Sequence, residues 1–254
     1  HGLKTVLDLH KTAGFSFDPG HHETGFFDSE AYQERFCRLW EEIARRYGKY
    51  YDRLVFELLN EVVNATADEW NTLAEKTIAA IREKNKERLI IVGGVEWNNP
   101  SALPEVKVYD DENIIYTFHC YAPHEFTHQQ GVLQADPLFY NRKMPYPCDD
   151  IERYRDYHRV VKGRETYYKK YDRMDIKFLR DYLAPAKEFI EKHPDKVLWC
   201  GEFGTIRHAK LEWRENWMRD MITILKEWDI PYCVWNYLST PNDGNRFSLV
   251  DDDN

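Results

Sequence analysis

Polar residues gather where short apolar runs stop. Asp8-Leu9-His10 closes the first such run and Leu59-Asn60-Glu61 the second. Phe118-His119-Cys120-Tyr121, Cys200-Gly201-Glu202-Phe203-Gly204 and Val234-Trp235-Asn236-Tyr237 close three later ones. Glu61 and Glu202 are the acidic residues placed immediately at the ends of two of these runs. Two carboxyl groups brought face to face can divide the work of breaking one glycosidic bond. One, protonated, helps the leaving oxygen depart; the other attacks the anomeric carbon or activates a water. A separation of about 5–5.5 Å goes with retention of configuration and ~6.5–9.5 Å with inversion. A single strand-end glutamate is ordinarily a solvated loop carboxylate. The pair, with polar neighbours at several strand ends, points to chemistry.

Such a pair needs a scaffold that lines up strand ends, and the alternation of elements supplies one. Strands are expected at Thr5–Leu9, Leu54–Leu58, Leu89–Gly93, Ile114–His119, Val197–Gly201 and Tyr232–Asn236. Between the first two, Phe36, Leu39, Trp40, Ile43 and Tyr47 fall at helical spacing, closed by Gly48. Thr66 and Glu69 form a capping-box pattern ahead of Trp70, Leu73, Ala74, Thr77, Ile78 and Ile81. Two later helical faces read Ile176, Leu179, Leu183, Ala186, Ile190 and Trp217, Met221, Leu225, Trp228. Strand and helix in alternation predict an α/β fold, a parallel (β/α)8 barrel whose active site sits at the carboxyl ends of the strands. Asp8 and Glu57 share strand faces with His10 and Glu61, so they read as inward hydrogen-bond partners. Six visible strands imply either that the first two βα units and the last helix lie outside this chain, the favoured reading, or that the sheet is open. The whole of 1–254 reads as one catalytic barrel domain. The interval from His119 to Glu202 is too long for one helix, and residues 131–172, rich in Tyr, Arg, Lys and Asp, read as a subdomain inserted on a loop.

Composition narrows the ligand. The 254 residues are 43% apolar and 31% charged, the balance of a globular protein with a sizeable core. No apolar run approaches the ~18 residues that span a bilayer, so no membrane partner is expected. A formal charge of -9 repels phosphate backbones and argues against nucleic acid. Aromatic residues reach 15%, with eight Trp and seventeen Tyr, and flat sugar faces pack on such rings. Five cysteines without a CxxC spacing give neither a zinc site nor a full disulfide framework. The start at His1 looks cut, so the lack of a signal-peptide pattern there says little. Localisation stays open: a polymer substrate points to secretion, an odd thiol count to a reducing compartment.

The remaining motifs have plainer readings. His21-His22 and the trio His119, His124 and His128 invite a metal, but no HExxH frame surrounds them, and neither metal nor cofactor is expected. Trp97-Asn98-Asn99 lies on a loop after a strand, where Trp97 would bind sugar or pack. Asp251-Asp252-Asp253 reads as solvated surface.

Together, Val6-Leu7-Asp8-Leu9-His10, Phe56-Glu57-Leu58-Leu59-Asn60-Glu61, Phe118-His119-Cys120-Tyr121, Gly201-Glu202-Phe203-Gly204 and Val234-Trp235-Asn236 resemble glycoside hydrolase family 5, also called cellulase family A. They follow that family's order from its third strand to its eighth. The run Tyr121–Gln129 and Asn60-Glu61-Val62-Val63 resemble bacterial endoglucanases with a helical insertion after strand six. The resemblance implies a retaining endo-β-1,4-glucanase of cellulase or lichenase type, acting as a monomer on β-glucan. It implies Glu61 as acid/base and Glu202 as nucleophile. Asn60 would bind the sugar 2-OH, Tyr121 would hold the Glu202 carboxylate ionised and aimed, and Trp235 would form a stacking floor. His10 and His119 would hydrogen-bond to sugar hydroxyls and to Glu61. Many members carry Pro where this chain has Val62, and an arginine on the family's second strand has no counterpart here. Mannanase, xylanase or β-1,3-glucanase activity, a metal-dependent barrel hydrolase or isomerase, and an inactive carbohydrate-binding relic are the competing readings.

Overall fold

The structure, a computed structural model, describes residues 2–18, 24–131, 142–160, 167–240 and 245–250. Strands β1 (Thr5–Asp8), β2 (Leu54–Glu57), β3 (Ile90–Gly93), β4 (Ile114–Cys120) and β5 (Val197–Phe203) form one sheet in chain order. The pairings β1–β2, β2–β3 and β3–β4 are parallel, with Leu7 beside Phe56, Phe56 beside Ile90 and Ile90 beside Ile114. β3 is buried along its whole length, as a strand covered on both faces must be. The chain divides into two compact units, residues 1–119 with 185–199 and residues 120–184 with 200–254.

In the first unit, α1 (Glu30–Arg46) starts at Ser29, whose hydroxyl accepts from the Tyr32 N–H. α2 (Ala67–Lys84) starts with the capping box foreseen at Thr66 and Glu69. The buried face of α2 is Trp70, Leu73, Ala74, Thr77, Ile78 and Ile81, as the spacing predicts. On α1 the buried stripe is Phe36, Cys37, Trp40 and Ala44, rotated away from Leu39, which is exposed. Small residues at 37 and 44 let α1 lie close to α2, where Cys37 Sγ meets Thr77 Oγ1 at 3.4 Å. The two helices then grip strand ends. Trp40 Nε1 donates to the Leu58 carbonyl at 3.0 Å, and Trp70 Nε1 to the Gly93 carbonyl at 2.8 Å. At the opposite end of the sheet the buried Arg88 guanidinium donates to the carbonyls of Tyr47, Tyr50 and Leu54 and stacks over Phe56.

In the second unit, α3 is the single turn His124–Thr127, α4 spans Glu152–Val160 and α5 spans Ile176–Tyr182. α6 (Ala184–Lys192) leads back into the first unit, and α7 (Leu211–Glu227) buries Trp217, Met221, Ile224 and Leu225. The single helix expected across Ile176–Ile190 is two. Pro185 has no N–H to continue α5, and it sits where a new first turn needs none. Parts of the 131–172 segment, 132–141 and 161–166, lie outside the described residues, as do His21, His22 and the acidic run at 251–253. What is described of that segment packs on tyrosines: Tyr146 donates to Asp220 Oδ2 of α7 at 2.7 Å, Tyr154 to the Pro145 carbonyl, and Tyr168 to the buried Glu125 carboxylate at 2.6 Å.

The sixth strand, expected at Tyr232–Asn236, is not formed as such. Tyr232 makes one parallel bridge to Cys200, flanked by Cys200 N–H to Pro231 O and Cys233 N–H to Cys200 O, both 2.9 Å. The next bond runs from Trp235 N–H to Phe203 O. β5 thus advances three residues while its neighbour advances two, and a register slip of one residue ends the ladder. Gly204 makes that slip possible, because a Cβ there would collide with the Trp235 carbonyl oxygen.

Trp70→Phe keeps the apolar body but leaves the Gly93 carbonyl buried without its donor. Urea denaturation of the variant is expected to show a loss of about 1–3 kcal/mol, with an unchanged dependence on denaturant.

Candidate active site

Within the first unit, strand β2 carries its pairing past its formal end. Leu58 N–H bonds to Ile91 O at 3.2 Å and Asn60 N–H to Leu9 O at 3.1 Å. The chain then turns at Glu61, which holds a left-handed conformation at φ 46°. For a side chain with a Cβ that conformation costs roughly 1–2 kcal/mol, which the buried Leu58, Leu59 and Val62 around it hold in place. The turn leaves Asn60 buried and puts the Glu61 carboxylate against a ring: Oε1 is 2.9 Å from His119 Nδ1 at the end of β4. The Asn60 Nδ2 amide is buried and has no hydrogen-bond partner among the described residues.

The opposite ring nitrogen of His119, Nε2, lies 3.4 Å from Nδ2 of Asn98. Asn98 arrives there by an unusual route. Glu96, Trp97 and Asn98 are consecutive left-handed residues at φ 55°, 59° and 54°, none of them glycine. The turn leaves Trp97 half exposed, its indole donating to the Phe17 carbonyl at 3.1 Å. Phe17 also meets the edge of the His10 ring at 5.1 Å, and His10 Nδ1 is paired with Asp8 Oδ2. His10, Asn60, Glu61, Trp97 and His119 therefore belong to the carboxyl edge of β1 to β4. Asn98, assigned in sequence only to a mouth loop, is the contact that sequence reasoning missed. The Gly93-Gly94 pair is its one signal, since a Cβ on Gly93 would strike the Asn98 amide.

Within the second unit, the Tyr121 hydroxyl donates to Glu202 Oε2 at 2.8 Å. Tyr121 is itself fixed: Thr127 Oγ1 donates to its carbonyl at 2.6 Å, and the rings of His128 and Phe247 pack on it edge-on at 5.2 and 5.7 Å. Trp235 follows the register slip, partly exposed, and its peptide bond to Asn236 is cis. Burial, and to a lesser degree the stacked His124 ring, hold the His128 pKa well below its ordinary value of 6.5.

Residues 1–240 match the family Cellulase (glycosyl hydrolase family 5). The chain belongs to glycosyl hydrolase family 5. Endoglucanase C of Acetivibrio thermocellus is 38% identical over 241 residues, covering 93% of this chain and 68% of that protein. Cellodextrinase A of Ruminococcus flavefaciens is 36% identical over 220 residues, covering 86% of this chain and 58% of that protein. The crystal structure of Thermotoga maritima Cel5A in complex with cellobiose superposes with a TM-score of 0.74 at 28% identity, covering 99% of this chain and 68% of that one. The chain thus spans about two thirds of the length of these relatives, and its five-stranded sheet shares their barrel-type fold.

As a member of a family of O-glycosyl hydrolases, the chain carries both strand-end glutamates, each beside a hydrogen-bonding partner within its own unit. His128 packs edge-on against Tyr121. The depressed pKa of His128 makes stability depend on pH. The unfolded chain takes up a proton near pH 6.5 and the folded ring refuses it, so the unfolded state binds more protons below that pH and stability falls as pH drops from about 6.5. Unfolding free energies from urea denaturation are expected to decline between pH 7.5 and 5.5, by up to ~1.4 kcal/mol per pH unit from this one group, and His128→Gln should flatten the decline.

Proposed function

We propose that this family 5 protein is a retaining endo-β-1,4-glucanase, hydrolysing β-glucan of the cellulose or lichenan type by double displacement. The observation that carries the proposal is the family match across residues 1–240 in a chain that places Glu61 against His119 and Glu202 against Tyr121. Relatives named endoglucanase and cellodextrinase support the substrate class. In the first step Glu61, protonated, gives its proton to the glycosidic oxygen, and the electron pair of the breaking C–O bond leaves with that oxygen. Glu202 forms the new bond to the anomeric carbon. In the second step Glu61, now a carboxylate, takes a proton from water while the water oxygen displaces Glu202. This requires the two carboxyl groups to stand about 5–5.5 Å apart across the sugar.

The other residues take supporting parts. Asn60, whose amide nitrogen has no partner among the described residues, would donate to the sugar 2-OH. Tyr121 would orient Glu202, and Trp235 and Trp97, both partly exposed, would stack on sugar faces. His10 would hydrogen-bond sugar hydroxyls. On this reading the protein is a monomer with one catalytic domain, and residues 131–172 are its insertion. Mannan is a second substrate to test, because Thermotoga maritima Cel5A has been crystallised in complex with mannotriose.

Glu202→Ala should lose activity by about 10⁴-fold or more, within the range that removal of a nucleophile costs. Added azide should restore turnover and yield the α-glycosyl azide. Glu61→Gln should retain far more activity on aryl glycosides with good leaving groups than on carboxymethylcellulose. Full activity of either variant on β-glucan would contradict the assignment.

A further inference from the structure

We infer that Asn98 is a positioning residue that fixes the tautomer of His119, and through that ring decides which oxygen of Glu61 carries the exchangeable proton. The inference rests on the proposed role of Glu61 and adds a residue to it. Three observations carry it, all within the first unit. Asn98 is buried, and three successive left-handed residues bring it back beneath His119. Its Nδ2 lies 3.4 Å from His119 Nε2, while its Oδ1 is buried with no partner among the described residues. Gly93 leaves the space the amide fills, since a Cβ there would clash with Oδ1 first, then with Cγ and Nδ2.

The hydrogen-bond chain has a direction. A buried amide tolerates an unpaired carbonyl oxygen better than unpaired N–H groups, so the side chain turns its NH₂ towards the ring. Nε2 therefore accepts, and in a neutral imidazole the single ring proton must then sit on Nδ1. Nδ1–H donates to Glu61 Oε1, which accepts in both protonation states of the carboxyl group. The titrating proton is left to Oε2. One oxygen is thereby committed to holding Glu61 in place and the other to passing protons to and from the substrate.

The test reads the ring directly. In ¹⁵N-labelled protein, with His119 assigned by comparison with His119→Gln, long-range ¹H–¹⁵N correlation should show Nδ1 protonated and Nε2 unprotonated. Asn98→Asp presents an acceptor alone and should move the proton onto Nε2. Asn98→Leu offers neither and should give a mixture of tautomers. With substrate, Asn98→Asp should lower kcat/KM by about tenfold or more and move the basic limb of its pH profile, as expected when general acid–base function is disturbed. Protonated Nε2 in the unaltered protein, or a tautomer indifferent to Asn98→Asp, would overturn the inference. The ring measurement needs no turnover. Failure of the glycosidase reading would show instead as absent azide rescue with the tautomer still following Asn98.

Discussion

Helix tryptophans hold the carboxyl ends of the strands through single N–H groups, and the positions that matter lie within a few residues of each bond. Trp40 of α1 reaches the Leu58 carbonyl, Trp70 of α2 the Gly93 carbonyl, and Trp217 of α7 the Ala122 carbonyl at 2.9 Å. Glu61 lies three residues after Leu58, Asn98 five after Gly93, and Tyr121 immediately before Ala122. At these ends the sheet ladder runs out while the backbone is still buried, so its carbonyls need donors that the sheet cannot supply. An indole supplies one from the end of a large apolar body that is itself core. The same side chain therefore buries the helix face and fixes the strand end, and the chemistry is hung on what is fixed.

Beyond those anchors the backbone departs from comfortable geometry. Glu61 turns out of its strand in a left-handed conformation, and Glu96, Trp97 and Asn98 make three such residues in succession. Each is unfavourable alone and persists only where the surroundings determine it. Here the determinants are visible: buried leucine and valine around Glu61, and the space over Gly93 that the Asn98 amide fills. What is obtained is a carboxylate, a ring and an amide in one short chain of contacts, each fixing the next. Tyr121 and Glu202 form the corresponding contact in the second unit, with Tyr121 pinned by Thr127, His128 and Phe247.

Much of this was legible in the sequence because it depends on local periodicity. The first five strands fall within one or two residues of where apolar runs and β-branched residues place them. The face of α2 follows from its spacing alone. Family membership was legible for a related reason, since the strand-end segments keep their order. The misses are non-local. Tyr232–Asn236 has the composition of a strand, but its register slip depends on the Trp235 carbonyl passing over Gly204, a contact that pattern does not encode. The break at Leu183 was written in Pro185 and overridden by a continuous apolar stripe. The route of Asn98 has no glycine to announce its positive φ values, so the residue that completes the His119 contacts read as loop.

The central claim is that Glu202 forms a covalent bond to the sugar while Glu61 manages the proton. A 2-deoxy-2-fluoro-β-cellobioside with a good leaving group tests it directly, because the fluorine slows the second step more than the leaving group permits the first to slow. Peptide mapping by mass spectrometry of the inactivated protein should find one fluorocellobiosyl group, on Glu202, and prior substitution Glu202→Gln should abolish it. Label on another carboxylate, or turnover of β-glucan with no trapped adduct and inverted product, would contradict the account.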